Sequence, residues 1–285
     1  MSRIAYVNGR YVRAAEAGIS IDDRAAYFGD GVYEGVQIKG GRLIDEPRHL
    51  DRLGRSLAAL RMSWPMGEAA LRGVLREVVR RNRVSDGFLY LQISRGVARR
   101  DHGFPKASVR SSLTVTAKSL DPRINEAKAA RGVKVITVAD QRWARPDIKT
   151  LNLLPNVLAK QAARDRGAEE AWMVDGLGLI TEGASTNAWI VTLRGALVTR
   201  EADQSILSGV TRKTLIDVAA ALGLELEIRP FSVGEVFLAR EAFYSSASTV
   251  VIPVVEIDGR VIGDGRPGQI ALALRRRFHD FAASH

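Results

Sequence analysis

The segment Arg142–Ala163, RWARPDIKTLNLLPNVLAKQAA, constrains the fold most, because it places one lysine just before the start of a helix. The preceding run Val133–Ala139 is rich in β-branched valine, which is typical of a strand. Pro155 suits the first turn of a helix, since its fixed φ is helical and the N–H that it lacks would have no partner there. The pattern therefore predicts that Lys149 lies at a strand-to-helix junction among apolar residues.

Two interpretations of Lys149 remain open on the residues alone. Burial lowers the pKa of a lysine, and a neutral amine is the nucleophile that a Schiff base requires. The alternative is a surface lysine whose stem covers apolar neighbours while its ammonium group stays in water. Without further motifs, the surface interpretation is the more economical one.

Composition excludes several classes of protein. The 285 residues suffice for one large or two modest domains, and 46% hydrophobic with 26% charged residues is ordinary for a soluble globular chain. The absence of cysteine excludes disulfides, a thiolate nucleophile and cysteine metal sites, and four scattered histidines argue against a histidine metal centre. No apolar signal core or membrane span is visible, so we expect a cytoplasmic protein that does not bind membranes.

The net charge of +10 and the pI of about 10.2 raise the question of nucleic-acid binding. The basic residues are interleaved with acidic ones, and no basic tail, RNA-binding aromatic run or zinc-finger spacing is present. A surplus of arginine fits small carboxylates and phosphates equally well. We therefore predict no nucleic-acid partner, and a basic binding protein without a cofactor stays as the alternative from another functional class.

The first part of the chain predicts a small mixed domain. Asn8-Gly9 between short apolar runs is a strong hairpin signal. The other predicted elements are strands at Val32–Ile38, Gly87–Ser94 and Ser111–Ala117, and helices at Pro47–Met62 and Gly67–Asn82. A long polar loop between the last two strands carries Arg100 and His102, and loops of such length are usually functional or disordered.

Tyr33 and Arg52 are candidate site residues that also have ordinary explanations. Tyr33 follows the glycine-rich turn at Gly29 and Gly31 and either presents its hydroxyl or is a half-buried sheet tyrosine. Arg52 lies roughly opposite the leucine stripe of its predicted helix, so periodicity alone makes it a solvated arginine.

The segment at 119–131 is polar and contains proline, which indicates an interdomain connection. The predicted class is therefore α+β (mixed α/β), with a small N-terminal domain at 1–118, a linker at 119–131 and a C-terminal domain at 132–285. In that last domain Glu182, in TEGASTN, could pair with a protonated ring nitrogen, although a turn or capping glutamate is the simpler interpretation. Val210 and Thr211 begin a predicted helix, where free N–H groups and the helix dipole attract anions.

Seven motifs in order resemble the fold-type IV pyridoxal-phosphate enzymes, and among these the D-amino acid transaminases. They are DDRAAYFGDGVYE, HLDRL, ISRGVARRDHGFP, DIKTLNLLPNVLAKQ, TEGASTN, GVTRKT and VVEIDGR, which together cover nearly the whole chain. The resemblance implies pyridoxal 5′-phosphate as cofactor and a two-domain fold, with a smaller α/β N-terminal domain and a larger β-rich C-terminal domain containing helices. It also favours the nucleophilic interpretation of Lys149.

The resemblance further implies roles residue by residue. Lys149 is the implied Schiff-base lysine and proton carrier, and Glu182 the partner of the pyridine nitrogen. The remaining implied cofactor-binding residues are Arg52, Ser185, Leu207, Val210, Thr211, Ser246 and Ser248. Tyr33, Arg100 and His102 match the substrate carboxylate trap of D-amino acid transaminases, in which the loop comes from the neighbouring subunit, so an obligate homodimer is expected.

The expected reaction is ping-pong transfer between D-alanine or D-glutamate and 2-oxoglutarate or pyruvate through Lys149. Branched-chain L-aminotransferases, (R)-amine transaminases and aminodeoxychorismate lyases are the alternatives, since they share the lysine and glutamate but generally lack the Arg-x-His pair. Ala184 and Ala247 stand where relatives often have hydroxyl residues, which implies fewer side-chain contacts to the phosphate.

Overall fold

Residues 3–106 and 109–283 are described by the computed structural model, and the chain divides into two units. Unit 1 comprises Met1–Pro122 with Ile148–Asn152, and unit 2 comprises Arg123–Asp147 with Leu153–His285. The predicted domain limits differ from these units, because Lys149 lies in unit 1 and the predicted linker contains a helix. His285, together with Ala107 and Ser108 of the polar loop, lies outside the described residues.

Unit 1 is an antiparallel sheet with helices packed against it. Its strands are β1 (Ile4–Val7), β2 (Arg10–Arg13), β3 (Gly31–Lys39), β4 (Arg42–Leu43), β5 (Gly87–Ser94) and β6 (Ser112–Ser119), in the order β2-β1-β6-β5-β3-β4. Its helices are α1 (Arg24–Phe28), α2 (Glu46–Ala59) and α3 (Glu68–Asn82). Leu50, Leu53 and Leu57 form the predicted stripe of α2, and each is at most 2% exposed in the core of this unit.

The segment Ile148–Asn152 extends the edge of β3 where β4 leaves it open. The Tyr33 amide donates to the Lys149 carbonyl over 3.0 Å, and the Leu151 amide donates to the Gly31 carbonyl over 3.1 Å. A side chain at Gly31 would place its Cβ 2.5 Å from the Ile93 carbonyl oxygen, so only glycine fits this close approach. Glycine is therefore required at position 31, and the backbone of Lys149 is fixed against the sheet.

Unit 2 is a larger mixed sheet covered by helices. Its helices are α4 (Pro122–Arg131), α5 (Leu154–Asp165), α6 (Val210–Ala221), α7 (Val233–Leu238) and α8 (Gln269–Ala283). Its strands are β7 (Val133–Ala139), β8 (Glu170–Val174), β9 (Ile180–Gly183), β10 (Asn187–Val191), β11 (Leu197–Thr199), β12 (Leu226–Ile228), β13 (Glu241–Ser246), β14 (Val250–Ile257) and β15 (Arg260–Val261). The order is β12-β11-β10-β13-β14-β7-β8-β9, and β15 pairs with β14.

The predicted α+β class is confirmed, and so are most of the predicted elements. Gly87–Ser94 and Val133–Ala139 have the predicted bounds. The short helices α1, α4 and α7 were not predicted, because five to ten residues give too little periodicity. In the described ranges no helix is long and apolar enough to cross a membrane.

Candidate active site

Lys149 and Tyr33 contact each other in unit 1. The Lys149 Nζ donates a hydrogen bond to the Tyr33 hydroxyl over 3.1 Å and lies 4.2 Å from the centre of its ring. The Lys149 amide donates to the Ser56 hydroxyl of α2 over 3.3 Å, so the main chain is held as well as the side chain. The Tyr33 ring lies 5.6 Å from that of Tyr90, whose pKa burial and the neighbouring Tyr33 raise to about 12. Lys149 is half-buried with a fixed amine, unlike a surface lysine whose head moves freely in water.

Arg52 is buried, so its interpretation as a solvated arginine is wrong. It is 6% exposed, and its Nε and Nη2 donate to the two carboxylate oxygens of Glu34 over 2.7 Å each. His49 Nδ1 lies 2.7 Å from the same carboxylate. Burial would raise the pKa of Glu34, but the charges and hydrogen bonds of Arg52 and His49 hold that pKa far below its usual range. The predicted contact of Arg52 with a cofactor phosphate stays a prediction.

The spacing of polar residues along α2 offered a signal for the buried cluster of Glu34, His49 and Arg52. His49, Arg52 and Ser56 recur at i, i+3 and i+7 on the face next to the leucine stripe, not opposite it as expected for Arg52, and all three are buried. Periodicity identifies the apolar face of a helix but not buried polar residues at its border, whose burial requires a partner such as Glu34.

Arg100 and His102 of the polar loop both lie against Phe28 of α1. The Arg100 guanidinium carbon is 5.5 Å from the centre of the Phe28 ring, and the His102 ring is 5.2 Å from it. Both residues are exposed. Within residues 3–106 and 109–283, no hydrogen bond or ring contact joins either of them to Tyr33, so the three members of the predicted carboxylate trap do not meet inside one chain.

Arg24 binds main-chain carbonyl groups of the polar loop that carries Arg100 and His102. Its Nη1 donates to the Asp101 carbonyl over 2.6 Å and its Nη2 to the His102 carbonyl over 3.4 Å, while the residue is 3% exposed. Its Nε donates to Asp30 over 2.7 Å, and Arg95 donates to both oxygens of the same carboxylate over 2.8 and 3.0 Å. Burial would raise the pKa of Asp30, but hydrogen bonds from Arg95 and Arg24 outweigh it and leave the pKa below its ordinary value.

Glu182 is a buried strand residue in unit 2, so the turn or capping interpretation is wrong. It lies in β9 at 5% exposure and forms an ion pair with Arg142 Nη1. The Leu207 amide donates to one carboxylate oxygen over 3.0 Å, and the Asn187 amide nitrogen donates to the other over 2.9 Å. The carboxylate is therefore held in one orientation by a charge and two neutral donors.

Arg142 and Asn187 were missed by sequence reasoning. Arg142 also donates from Nη2 to Asp140 over 2.7 Å, and although burial would lower the pKa of Arg142, Asp140 and Glu182 keep it above its usual value. Asn187 lies within the TEGASTN motif, so the motif offered a signal for it. Arg142 lies in a loop, and nothing in its sequence context indicates burial beside a residue 40 positions away.

The N-terminus of α6 packs directly against the Asn187 side chain. Gly209 is the N-cap, and a Cβ there would lie 2.0 Å from the Asn187 side-chain oxygen, so glycine is required. Val210 and Thr211 form the first turn and are 3% and 4% exposed. Arg212 follows, donates to the Arg200 carbonyl over 2.6 Å, and has its pKa lowered to about 10 by burial. Buried positive charge at a helix N-terminus favours an anion.

The hairpin between β13 and β14 gathers three hydroxyl groups. The Ser246 hydroxyl lies 3.2 Å from that of Ser248 and 2.8 Å from that of Thr249. Ser185, another predicted cofactor residue, is exposed and donates instead to the buried Glu170 over 2.8 Å. The structure thus brings Lys149 to Tyr33, Glu182 to the Leu207 amide and Ser246 to Ser248, while the cofactor roles of all these residues stay predictions.

Comparisons with known proteins agree on one family. Residues 31–257 match the family model described as amino-transferase class IV. The chain is 38% identical to the D-alanine aminotransferase of Bacillus licheniformis over 265 residues, with 92% of this chain and 91% of that protein covered. It is 36% identical to the D-alanine aminotransferase of Staphylococcus haemolyticus over 279 residues, with 98% of each covered.

Solved structures of branched-chain enzymes share the fold. The branched-chain amino acid aminotransferase of T.th. with pyridoxamine 5′-phosphate superposes with a TM-score of 0.92 at 26% identity, covering all of this chain and 96% of that one. The branched-chain enzyme of Escherichia coli gives a TM-score of 0.88 at 25% identity, covering 98% and 94%. The relatives found by sequence are D-alanine aminotransferases, whereas these solved structures are branched-chain amino acid aminotransferases, so the two comparisons name enzymes of different substrate groups.

Proposed function

Because this chain belongs to the class IV aminotransferases, we propose that it transfers amino groups between D-amino acids and 2-oxo acids. It is a pyridoxal-phosphate-dependent aminotransferase. D-alanine and D-glutamate as donors, with pyruvate and 2-oxoglutarate as acceptors, are the proposed pairs. The observation that carries this choice is the 36% identity to a D-alanine aminotransferase across 98% of both chains.

The described residues fit a phosphorylated pyridine cofactor. An ion-paired carboxylate buried at 5% exposure, Glu182, suits a protonated ring nitrogen. The first-turn amides at Val210 and Thr211 suit a phosphate, as do the hydroxyl groups of Ser246 and Ser248. When bound, the cofactor supplies an electron-withdrawing ring that stabilises the carbanion formed at the substrate α-carbon.

Lys149 is the proposed proton carrier. Its Nζ would take the proton from the substrate α-carbon, and the Tyr33 hydroxyl 3.1 Å away would orient it through the hydrogen bond that the structure describes. The main-chain bonds of Lys149 to β3 and Ser56 limit how far the amine can move. Arg100 and His102 would hold the substrate carboxylate, since guanidinium groups bind carboxylates with two parallel hydrogen bonds.

Branched-chain L-amino acids are the second candidate substrates, because the solved structures named above are branched-chain enzymes. Identity to them is 25–26%, against 36–38% to the D-alanine aminotransferases. The Arg100-x-His102 pair also supports the D-amino acid proposal, because it matches the trap that the branched-chain family generally lacks. (R)-amine transamination and lyase activity are further alternatives on the same fold.

The near-ultraviolet and visible spectrum of the purified holoenzyme tests the proposal. We expect D-alanine, but not L-leucine, to change the cofactor band, with formation of pyruvate. A response to L-leucine alone would transfer the enzyme to the branched-chain group. Lys149→Ala should abolish turnover, while Lys118→Ala, at an exposed position of β6, should keep it. Full activity in Lys149→Ala would refute the role of Lys149.

The proposed homodimer and shared site can be tested by complementation. If Arg100 serves the neighbouring subunit, a dimer of one Lys149→Ala and one Arg100→Ala subunit contains one intact site. Mixing the two variants under conditions that exchange subunits should then produce mixed dimers with about half the activity of a wild-type dimer, because one of their two sites is intact. In the charge-matched control, the exposed Arg110 is replaced instead of Arg100, and the Arg110→Ala variant should be active before it is mixed with Lys149→Ala. No recovery after verified exchange would refute the shared site.

A further inference from the structure

Val250 has a backbone conformation that valine rarely adopts. Its φ is +64°, in the left-handed region, and it is 1% exposed at the start of β14. A hairpin position of this kind usually takes glycine or asparagine, because a branched Cβ collides with the main chain there. Such a conformation costs roughly 1–3 kcal/mol and persists only where surrounding contacts enforce it.

Arg275 supplies those contacts. Its Nη1 donates to the Thr249 carbonyl over 2.6 Å and to the Val251 carbonyl over 2.8 Å, so one nitrogen binds the carbonyl groups on both sides of Val250. The Arg275 side chain is 10% exposed, and its Nη2 donates to Glu126 of α4 over 2.7 Å. The guanidinium group is thereby fixed in place by a carboxylate while it holds the turn.

Asn125 of α4 binds the same hairpin one residue earlier. Its side-chain nitrogen donates to the Ser248 carbonyl over 2.9 Å. The carbonyl oxygens of Ser248, Thr249 and Val251 are therefore all occupied by side chains of α4 and α8. With the carbonyl groups held in this way, the hydroxyl groups of Ser246, Ser248 and Thr249 remain gathered within 3.2 Å of Ser246.

We propose that Arg275, assisted by Asn125, is a positioning residue that keeps this hairpin in the shape that binds a phosphate monoester. The inference rests on the proposed function, in which Ser246 and Ser248 bind the cofactor phosphate, and it adds Thr249 to them. Ala247 contributes no hydroxyl group, so this hairpin relies more on its main-chain shape than on the number of its side-chain donors. Arg275 does not itself contact the phosphate; it determines where the donors lie.

Binding of pyridoxal 5′-phosphate and of pyridoxal, which lacks the phosphate, separates this role from a general structural one. Both ligands are titrated into cofactor-free wild-type protein, Arg275→Met and Arg277→Met, and Kd is measured by absorbance. Arg277 is the matched control, because it lies on the same helix and is exposed. We expect Arg275→Met to weaken pyridoxal 5′-phosphate binding about tenfold, the equivalent of one hydrogen-bond energy, and to leave pyridoxal binding within about twofold of wild type.

Three results would overturn the inference. These are unchanged pyridoxal 5′-phosphate binding in Arg275→Met, equal weakening of both ligands, and equal affinity of the wild-type protein for both. If Arg275→Met does not fold, Asn125→Ala gives the same test with a smaller selective loss, about threefold. Failure of the proposed function would look different, since the wild-type protein would then bind the cofactor without any response of its absorbance band to D-alanine, whatever the effect of Arg275→Met on cofactor binding.

Discussion

Two loops, one in each unit, are held by an arginine that donates to main-chain carbonyl groups, but the surrounding charges differ. Arg24 in unit 1 shares the carboxylate of Asp30 with Arg95, so two buried cations depend on one anion. Arg275 in unit 2 pairs with Glu126, whose side chain is 67% exposed. The same side chain can therefore fix a loop mainly through an ion pair with a buried carboxylate or mainly through hydrogen bonds to uncharged carbonyl groups, with different responses to mutation and pH.

The largest effect is expected for Asp30→Asn. This change leaves Arg24 and Arg95 without their shared negative charge, and breaking a buried ion pair costs about 3 kcal/mol. Urea unfolding at neutral pH measures the loss. Asp51→Asn is the control, because Asp51 is exposed on α2 and should cost less than about 0.5 kcal/mol. Equal losses in the two variants would show that charge does not hold the Arg24 loop.

Acid should remove part of the same stabilisation. The folded-state pKa of Asp30 is depressed, so its contribution is complete above the unfolded-state value near 4 and is lost as pH falls through the folded-state value. We expect unfolding midpoints of wild type and Asp30→Asn to converge below pH 4, whereas wild type and Arg275→Met should keep a constant difference over that range. Parallel profiles for wild type and Asp30→Asn would contradict the assignment.

Adjacent valines test the strain in unit 2 directly. Val250→Gly and Val251→Gly each delete a side chain that is at most 1% exposed, but only position 250 has a left-handed φ. Glycine relieves strain at 250 and not at 251, so we expect Val250→Gly to be the less destabilising variant by about 1–2 kcal/mol. Urea midpoints compare them, and equal destabilisation would mean that the hairpin stores no strain.

The smallest effect is expected for Glu126→Gln. An exposed carboxylate contributes about 0.5 kcal/mol or less to stability, and the carbonyl bonds of Arg275 stay intact. Thermal unfolding at low and high salt measures this contribution. A loss as large as that of Asp30→Asn would show that both loops depend on charge to the same degree.

The sequence predicted local features better than long-range ones. Asn8-Gly9, the β-branched runs and the leucine stripe of α2 lead directly to the observed elements, because each depends on neighbouring residues. The burial of Arg52 depends on Glu34, 18 positions away, and that of Glu182 on Arg142, 40 positions away. Such pairs leave no periodic signal. Motif resemblance gave Lys149 and Glu182 as candidates and contained Asn187 without assigning it a role, whereas Arg142 and Arg275 emerged only from the fold.

The pairing of Ile148–Asn152 with the edge of β3 has a consequence for how the chain folds during synthesis. Domains generally fold in the order in which they leave the ribosome, but unit 1 needs a segment made after Arg123–Asp147 of unit 2. Lys149 and Tyr33 lie 116 positions apart, a separation that makes their pairing a late, slow event. A nascent chain that ends at Pro122 therefore exposes an unpaired strand edge at Gly31–Tyr33. The Lys149 amine reaches the Tyr33 hydroxyl only after Ile148–Asn152 has paired with that edge.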